Sequence, residues 1–377
     1  MVIETRQRSP KLLQGLRRAN YQCWSRSYKF DATGRPIKIN TLRFFVDEGF
    51  SKCARKASWF LGQMVMLVAL LCAVSGTARA SDDGGADRAR RAGSCSTTSS
   101  AAFTACRHEA ADTYWIAKGN CTNVSDPTAR GECTLEARAA YGEKVLSCGV
   151  HRQGRQDFCA VLGEAPYDPK IDPAMFVDPT QIGKAIAPNP YLLLIPGRTM
   201  VYRDGDEEIR VTITNKTRVI AGVSCREVHD VVRVNGQVIE DTLDWYAQDI
   251  HGNIWYFGEI SLSYEDGVVV SIDGSWTTGV DRAKPGFAMK ALPVVGESYR
   301  QEFSLNNAED GAEVLSLTGS GTVPGGSCNN NCLITRDFSP IIPTLLEHKY
   351  FAPGVGFILE IKPKTGERLE LVEIIQN

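Results

Sequence analysis

Apolar residues follow three successive patterns along this 377-residue chain. The first is a block, Trp59 to Val74, centred on Met64-Val-Met-Leu-Val-Ala-Leu-Leu-Cys-Ala-Val74. The second runs from Thr97 to Leu162 and is Ala-rich and helix-prone, with larger apolar side chains only at intervals (Phe103, Tyr114, Trp115, Leu135, Val145, Leu146). The third begins at Arg198. There Ile209, Val211 and Ile213 alternate with Arg210, Thr212 and Thr214, and Val228, Val232 and Val234, then Leu243, Trp245 and Ala247, continue the habit. A period of two puts one face of a strand toward a core and the other toward solvent.

These patterns predict an α+β protein: an N-terminal α-hairpin followed by a mostly antiparallel β-sheet domain, half-barrel or sandwich-like. One helix is expected over Thr97–Lys118, stopped by Gly119-Asn120, and a second from Ala129 to Leu162, with Ser125-Asp-Pro-Thr128 as the turn. Residues 163–197 carry seven prolines and read as an extended linker lying along the surface of the β domain. Gln237–Asp249 and Asn253–Tyr264 form a hairpin about Gly252. Val268–Thr278, Ser298–Ser304, Val314–Thr318, Cys332–Asp337, Leu345–Phe351, Val355–Lys362 and Leu369–Ile375 are further strands. The result is a meander of about ten strands, long enough to bury its own core.

The apolar block changes the picture of the N-terminus. Lys52, Arg55 and Lys56 precede it and Ala78-Arg79-Ala80 follows it, the layout of a secretory signal cleaved before Ser81. A permanent anchor needs about 20 apolar residues, and this run is interrupted by Gly62-Gln63. Residues 51–80 are therefore expected to be a signal peptide, residues 1–50 a non-native or disordered extension, and residues 81–94 a flexible tether. Domains at 95–162 and 198–377 flank the linker. After removal of residues 1–80 the chain keeps 28 Lys/Arg against 40 Asp/Glu. So acidic a surface repels phosphate backbones, which excludes nucleic acid as a partner. No integral membrane span is expected after processing, and the location is periplasmic or extracellular.

Cysteines carry the most specific signal. Cys95, Cys106, Cys121, Cys133, Cys148 and Cys159 are mirror-symmetric about Pro127. Offsets of 11 and 15 residues are close to whole helical turns, so each helix keeps its cysteines on one face. Antiparallel helices then pair Cys95 with Cys159, Cys106 with Cys148 and Cys121 with Cys133. A zinc site is the rival reading, but the short two-to-four spacing of structural zinc ligands is absent. Cys225, Cys328 and Cys332 remain. Cys328 and Cys332 can close a small loop, or either can reach Cys225, and a metal pair with His348 has no support.

Candidate chemistry is sparse. His229 with Glu227 and Asp230 suggests a general base, but neighbouring strand residues face opposite sides, so an ordinary histidine is the simpler reading. Asp249, Asn253, Glu259 and Asp244 offer oxygens for calcium, yet Asp and Asn are also ordinary turn residues. Trp245, Trp255, Tyr256, Phe257 and Trp276 gather aromatic surface on neighbouring strands and are the candidate lining of a ligand groove. Tyr246 and Tyr264 belong to the same run. No catalytic residue, metal site or cofactor is assigned.

Three segments resemble a family of secreted bacterial proteins of unassigned activity: Cys159-Ala-Val-Leu-Gly-Glu-Ala-Pro-Tyr-Asp-Pro169, Gly222-Val-Ser-Cys-Arg-Glu-Val-His-Asp-Val-Val232 and Asp244-Trp-Tyr-Ala-Gln-Asp-Ile-His-Gly-Asn-Ile-Trp-Tyr-Phe-Gly-Glu259. Gly274-Ser-Trp276, Ala308-Glu-Asp310 and Glu347-His-Lys-Tyr-Phe-Ala-Pro-Gly-Val-Gly356 extend that likeness. The Tyr350–Gly356 stretch is also similar to the closing hairpin of periplasmic half-barrel proteins that carry or sense lipid, an analogy of fold alone. The expectation is a non-enzymatic envelope protein whose β domain binds an apolar small molecule or an envelope protein. The alternative is a hydrolase using carboxylates of that domain. A concave pocket with aromatic walls supports binding, whereas convergence of several among His229, Asp244, Glu259, Glu302, Glu309 and Asp310 supports catalysis. N-terminal sequencing of the exported protein should read from Ser81; a retained Trp59–Val74 block would show an anchor instead.

Overall fold

The structure, a computed structural model, describes residues 93–376. The expected signal peptide, the N-terminal extension and most of the tether lie outside the described residues. Two long helices come first, α1 (Ser94–Thr122) and α2 (Pro127–Leu162). Asp126 caps α2 by accepting a hydrogen bond from the Ala129 amide, and Pro127 sits in the first turn, where its missing N–H costs nothing. Gly119-Asn120 does not stop α1, which runs on to Thr122. The weak helix propensity of one glycine, about 1 kcal/mol, is outweighed by the covalent tie from Cys121 to Cys133.

All three mirror pairs form: Cys95–Cys159, Cys106–Cys148 and Cys121–Cys133, with Cα–Cα distances of 5.7, 5.8 and 5.6 Å. Between them the facing positions are small, with Ala102, Cys106 and Ala110 of α1 buried one turn apart. So thin an apolar seam is typical of a segment that relies on disulfides rather than on core volume.

Fifteen strands complete the described residues as one antiparallel sheet. In chain order they are β1 (Arg198–Asp204), β2 (Glu207–Ile220), β3 (Val223–Val234), β4 (Gln237–Gln248), β5 (Ile254–Glu265), β6 (Val268–Ser271), β7 (Trp276–Thr277) and β8 (Lys284–Met289). Then come β9 (Ser298–Arg300), β10 (Glu302–Phe303), β11 (Gly311–Val323), β12 (Gly326–Phe338), β13 (Glu347–Ala352), β14 (Gly356–Ile361) and β15 (Arg368–Gln376). Neighbours run β10-β8-β5-β4-β3-β2-β1-β15-β14-β13-β12-β11-β9, with β6 and β7 also paired to β5.

The two ends of this path are adjacent in the chain. β9 pairs with β11 through Arg300 and Gly311, and β10 pairs with β8 through Glu302 and Pro285, so only Gln301 separates one sheet edge from the other. The sheet is thereby almost closed. Sequence periodicity misses β8, because Pro285-Gly286 argues against a strand. Glycine is needed there: a Cβ at Gly286 would sit 2.5 Å from the Arg300 carbonyl oxygen.

The principal core unites Ile213, Val228, Ile254, Met289, Val314 and Leu333 from strands around the sheet with Ile182 and Leu194 from the linker. The linker is thus part of the core as well as its cover. Ile171 and Phe176 also pack on Trp245 and Phe257 from outside. Cys328 and Cys332 bridge each other across a short excursion of β12, so the small loop is the pairing that forms and Cys225 is left as a buried free thiol.

The hairpin docks at the closure. Arg155 of α2 donates to both carboxylate oxygens of Glu309, Nε to Oε2 at 3.0 Å and Nη2 to Oε1 at 2.6 Å, and to Asn306 Oδ1 at 2.9 Å. Phe158 stacks on Phe338 and fills the space a side chain at Gly311 would take. Arg155 and Glu309 are 5% and 2% exposed, so each charge depends on the other. Glu309→Gln should therefore cost about 3–5 kcal/mol in urea unfolding with disulfides intact, whereas Arg155→Met combined with Glu309→Leu should cost clearly less, because no uncompensated charge is left buried.

Candidate functional site

Alternation and register together build a cavity inside the sheet. Met200 and Tyr202 of β1, Val211 and Ile213 of β2, Val228 and Asp230 of β3, and Asp244 and Tyr246 of β4 are pairs two residues apart, so each pair faces one side. The ladder places Met200 beside Val211 and Val211 beside Asp230, then Ile213 beside Val228 and Val228 beside Asp244. Phe351 and Phe357 close the far wall. The cavity volume is about 150 Å³, a size at which an apolar cavity accepts a benzene-sized molecule.

A strap of the linker covers it. Leu192, Leu193 and Leu194 face the cavity with Tyr191. Asn189 holds the start of the strap: its side-chain amide donates to the Gly252 carbonyl at 2.8 Å, and its oxygen accepts from the Tyr191 and Leu192 amides. The Gly354 amide donates to the Pro190 carbonyl, and the Gly197 amide to the Ile213 carbonyl at the other end. Both ends are thus tied to the sheet and its turns, while the leucines between are held by side-chain packing.

Beside the cavity lies a group of carboxylates. The Tyr256 hydroxyl donates to Asp244 Oδ1 at 2.5 Å, and its ring stacks on Tyr246 with centroids 4.6 Å apart. Glu259 faces Asp244 across the β4–β5 ladder, and Trp276 Nε1 donates to Glu302 Oε2 at 2.9 Å. Burial first, and then the neighbouring negative charges, push the carboxyls of Glu259 and Glu302 well above the ordinary range. Burial likewise lifts Asp310 to about 6, although the neighbouring Ser339 hydroxyl and the charge of Lys349 pull it down.

The five residues expected to line a groove divide among three places, and none of them borders this cavity. Trp245 and Phe257 lie on the opposite face, under Phe176 and Ile171. Trp255 packs between Phe287 and Phe176 and donates to Asp249. Tyr256 and Trp276 stand among the carboxylates, 5.4 Å apart. The cause is a bulge: Trp245 pairs with Gly258 but Tyr246 pairs with Tyr256, so Phe257 is extra and the parity of β5 reverses there. Gly258 permits it, with φ of 146° and its Cα so close to the Trp276 carbonyl that a Cβ would lie 2.5 Å away. The residues that do form the cavity were signalled by the apolar run Tyr191–Ile195 amid prolines, and by Asp230 set between Val228 and Val232 on one side of β3.

Other candidates take structural roles. His229 faces outward and pairs with Asp241 at 2.9 Å. Asp249 organises the β4–β5 turn, accepting from the His251 and Asn253 amides, Asn253 Nδ2 and Trp255 Nε1. Among the described residues no group of three or more His, Cys, Asp or Glu is arranged to hold a metal, and no helix is long and apolar enough to cross a membrane. No family model, curated protein or solved structure matches the chain.

The raised carboxyls give stability a definite pH dependence. Below their unfolded value near 4.5, both states are protonated and nothing is lost. As pH rises, the unfolded chain releases these protons first, the folded state binds more, and stability falls. Glu302→Gln keeps an acceptor for Trp276 and removes one such proton. Its gain over the parent in denaturant unfolding should be larger at about pH 8 than at about pH 5; the reverse order would mean the folded carboxyl is ionised.

Proposed function

We propose that this is an extracytoplasmic binding protein that holds a small apolar molecule inside its β domain. The observation that carries the reading is the cavity walled by Met200, Val211, Ile213, Val228, Phe351 and Phe357 under the leucine strap. Sites for small molecules are typically concave and apolar, with few polar groups. Four disulfides support an oxidising compartment. The strap supplies an entrance, because its ends are hydrogen-bonded and its leucines are held by packing, so displacing them opens the cavity without breaking the sheet.

A carboxylate-dependent hydrolase is the second reading, favoured by the Tyr256 hydroxyl at Asp244 with Glu259 across the ladder. Asp230 and Asp244 both border the cavity, whereas Glu259 and Glu302 do not. The rest of the lining is apolar apart from Arg198 and three tyrosines, with no histidine, serine or cysteine beside those two carboxylates, so binding accounts better for the arrangement.

Met200 provides the test, since its side chain lies in the cavity wall. Toluene titrated into methyl-labelled protein should shift the Met200 resonance saturably. Val228→Phe should abolish the shift by filling the space, at a cost in stability of about 1–3 kcal/mol. A Met200 signal indifferent to toluene in the parent protein would overturn the binding reading.

A further inference from the structure

We propose that the molecule held in the cavity is a compact apolar monocarboxylate, its anionic group received by Arg198 and its body lying among the aliphatic side chains of β1 to β3. This rests on the cavity being a ligand site and adds the ligand's charge and polarity.

Arg198 opens β1, borders the cavity and is only 8% exposed. A guanidinium stays charged at neutral pH even where burial draws its pKa down, as it does here. A charge so placed ordinarily has a carboxylate partner. Among the described residues Arg198 makes no ion pair, and its hydrogen bond is Nη2 donating to the Val355 carbonyl at 2.7 Å. A guanidinium has five N–H donors, so most of its donor capacity has no acceptor among the described residues. Tyr202 supplies no counter-charge: its hydroxyl donates to the Phe357 carbonyl, and burial keeps it protonated. The geometry is a cationic fork in an apolar chamber, complementary to one small anion.

The carboxylates of the chamber fix the orientation. Asp230 and Asp244 stand on β3 and β4, two and three strands from β1. An anionic group turned toward them meets carboxyl oxygens, while at Arg198 it meets a donor fork, so a monocarboxylate enters one way round. Volume sets the size. A cavity of about 150 Å³ takes a body of roughly six heavy atoms, which suits the apolar part of hexanoate.

Calorimetry of the disulfide-intact protein with hexanoate and with neutral hexanamide tests this. The parent protein should bind hexanoate at least about tenfold more tightly, the factor a charge-assisted hydrogen bond supplies. In Arg198→Gln, which keeps a donor for the Val355 carbonyl, that preference should shrink to within about threefold. Arg198→Lys should retain part of it. If R198Q does not fold, the preference of the parent protein decides alone. Equal binding of the two ligands by the parent would overturn the proposal, leaving Arg198 as a tie to the Val355 turn and the apolar cavity intact. Failure of both to bind, with no response of Met200 to toluene, would overturn the cavity reading as well.

Discussion

A long antiparallel sheet must either bring its edges together or leave them exposed, and here the meeting depends on the segment Ser298–Phe303. Within six residues the chain leaves its pairing with β11, passes Gln301 and pairs with β8. Unpaired edges are costly and prone to aggregation; bringing both onto one short segment removes most of that exposure. The rest of the architecture is arranged around this seam. Gly286 lets β8 approach it, Phe158 packs over Gly311, and Arg300 lies against Phe158, Tyr167 and Phe303. The Arg155–Glu309 pair then ties the disulfide-bonded hairpin to the same place. The hairpin accordingly acts as a clamp on the closure, and its three bridges make that clamp stiff.

Inside, the enclosed space is divided by chemistry. One part is apolar and contains the cavity; beside it stand Asp244, Glu259 and Glu302, and on β12 and β13 Lys349 lies 2.9 Å from Asp337 and 3.4 Å from Glu347. Buried carboxyls that hold their protons, as Glu259 and Glu302 do, act as hydrogen-bonding groups rather than charges. They still lower stability relative to a packed apolar interior. Proteins retain such costs where the interior has work beyond holding itself together, and here the polar groups border an apolar space of ligand size.

The linker couples the two halves of this arrangement. Its first part covers the outer face of β3 to β5 through Ile171 and Phe176, and its second crosses to the cavity and contributes Leu194 to the core. Proline restricts the unfolded alternatives of such a segment and removes donors that would otherwise need partners. Asn189 then fixes the point where the chain turns inward. A strap built this way is ordered at its ends and replaceable in its middle, which suits a cover more than a strand.

Local chemistry was enough to establish much of this. The mirror spacing about Pro127 contained the hairpin, its turn and all three pairings, because helix periodicity and the reach of a disulfide are local rules. Alternation likewise located most strands, since a half-buried strand must show period two. The site was legible only in fragments. Parity along β5 reverses at the Phe257 bulge, so Trp245, Trp255, Tyr256, Phe257 and Trp276 could not be assigned to one face from spacing. Pro285-Gly286 concealed β8, whose partner lies across the closure. Glu309 showed no sign of its partner Arg155, which is 154 residues away, and Arg198 marked only where the alternating pattern begins. Those identities depend on strand register and on which edges meet, both set by long-range pairing. Sequence by itself determined the elements and their covalent frame; only the closed sheet decided which side chains share its interior, because burial is a property of the assembled surfaces and not of any one segment.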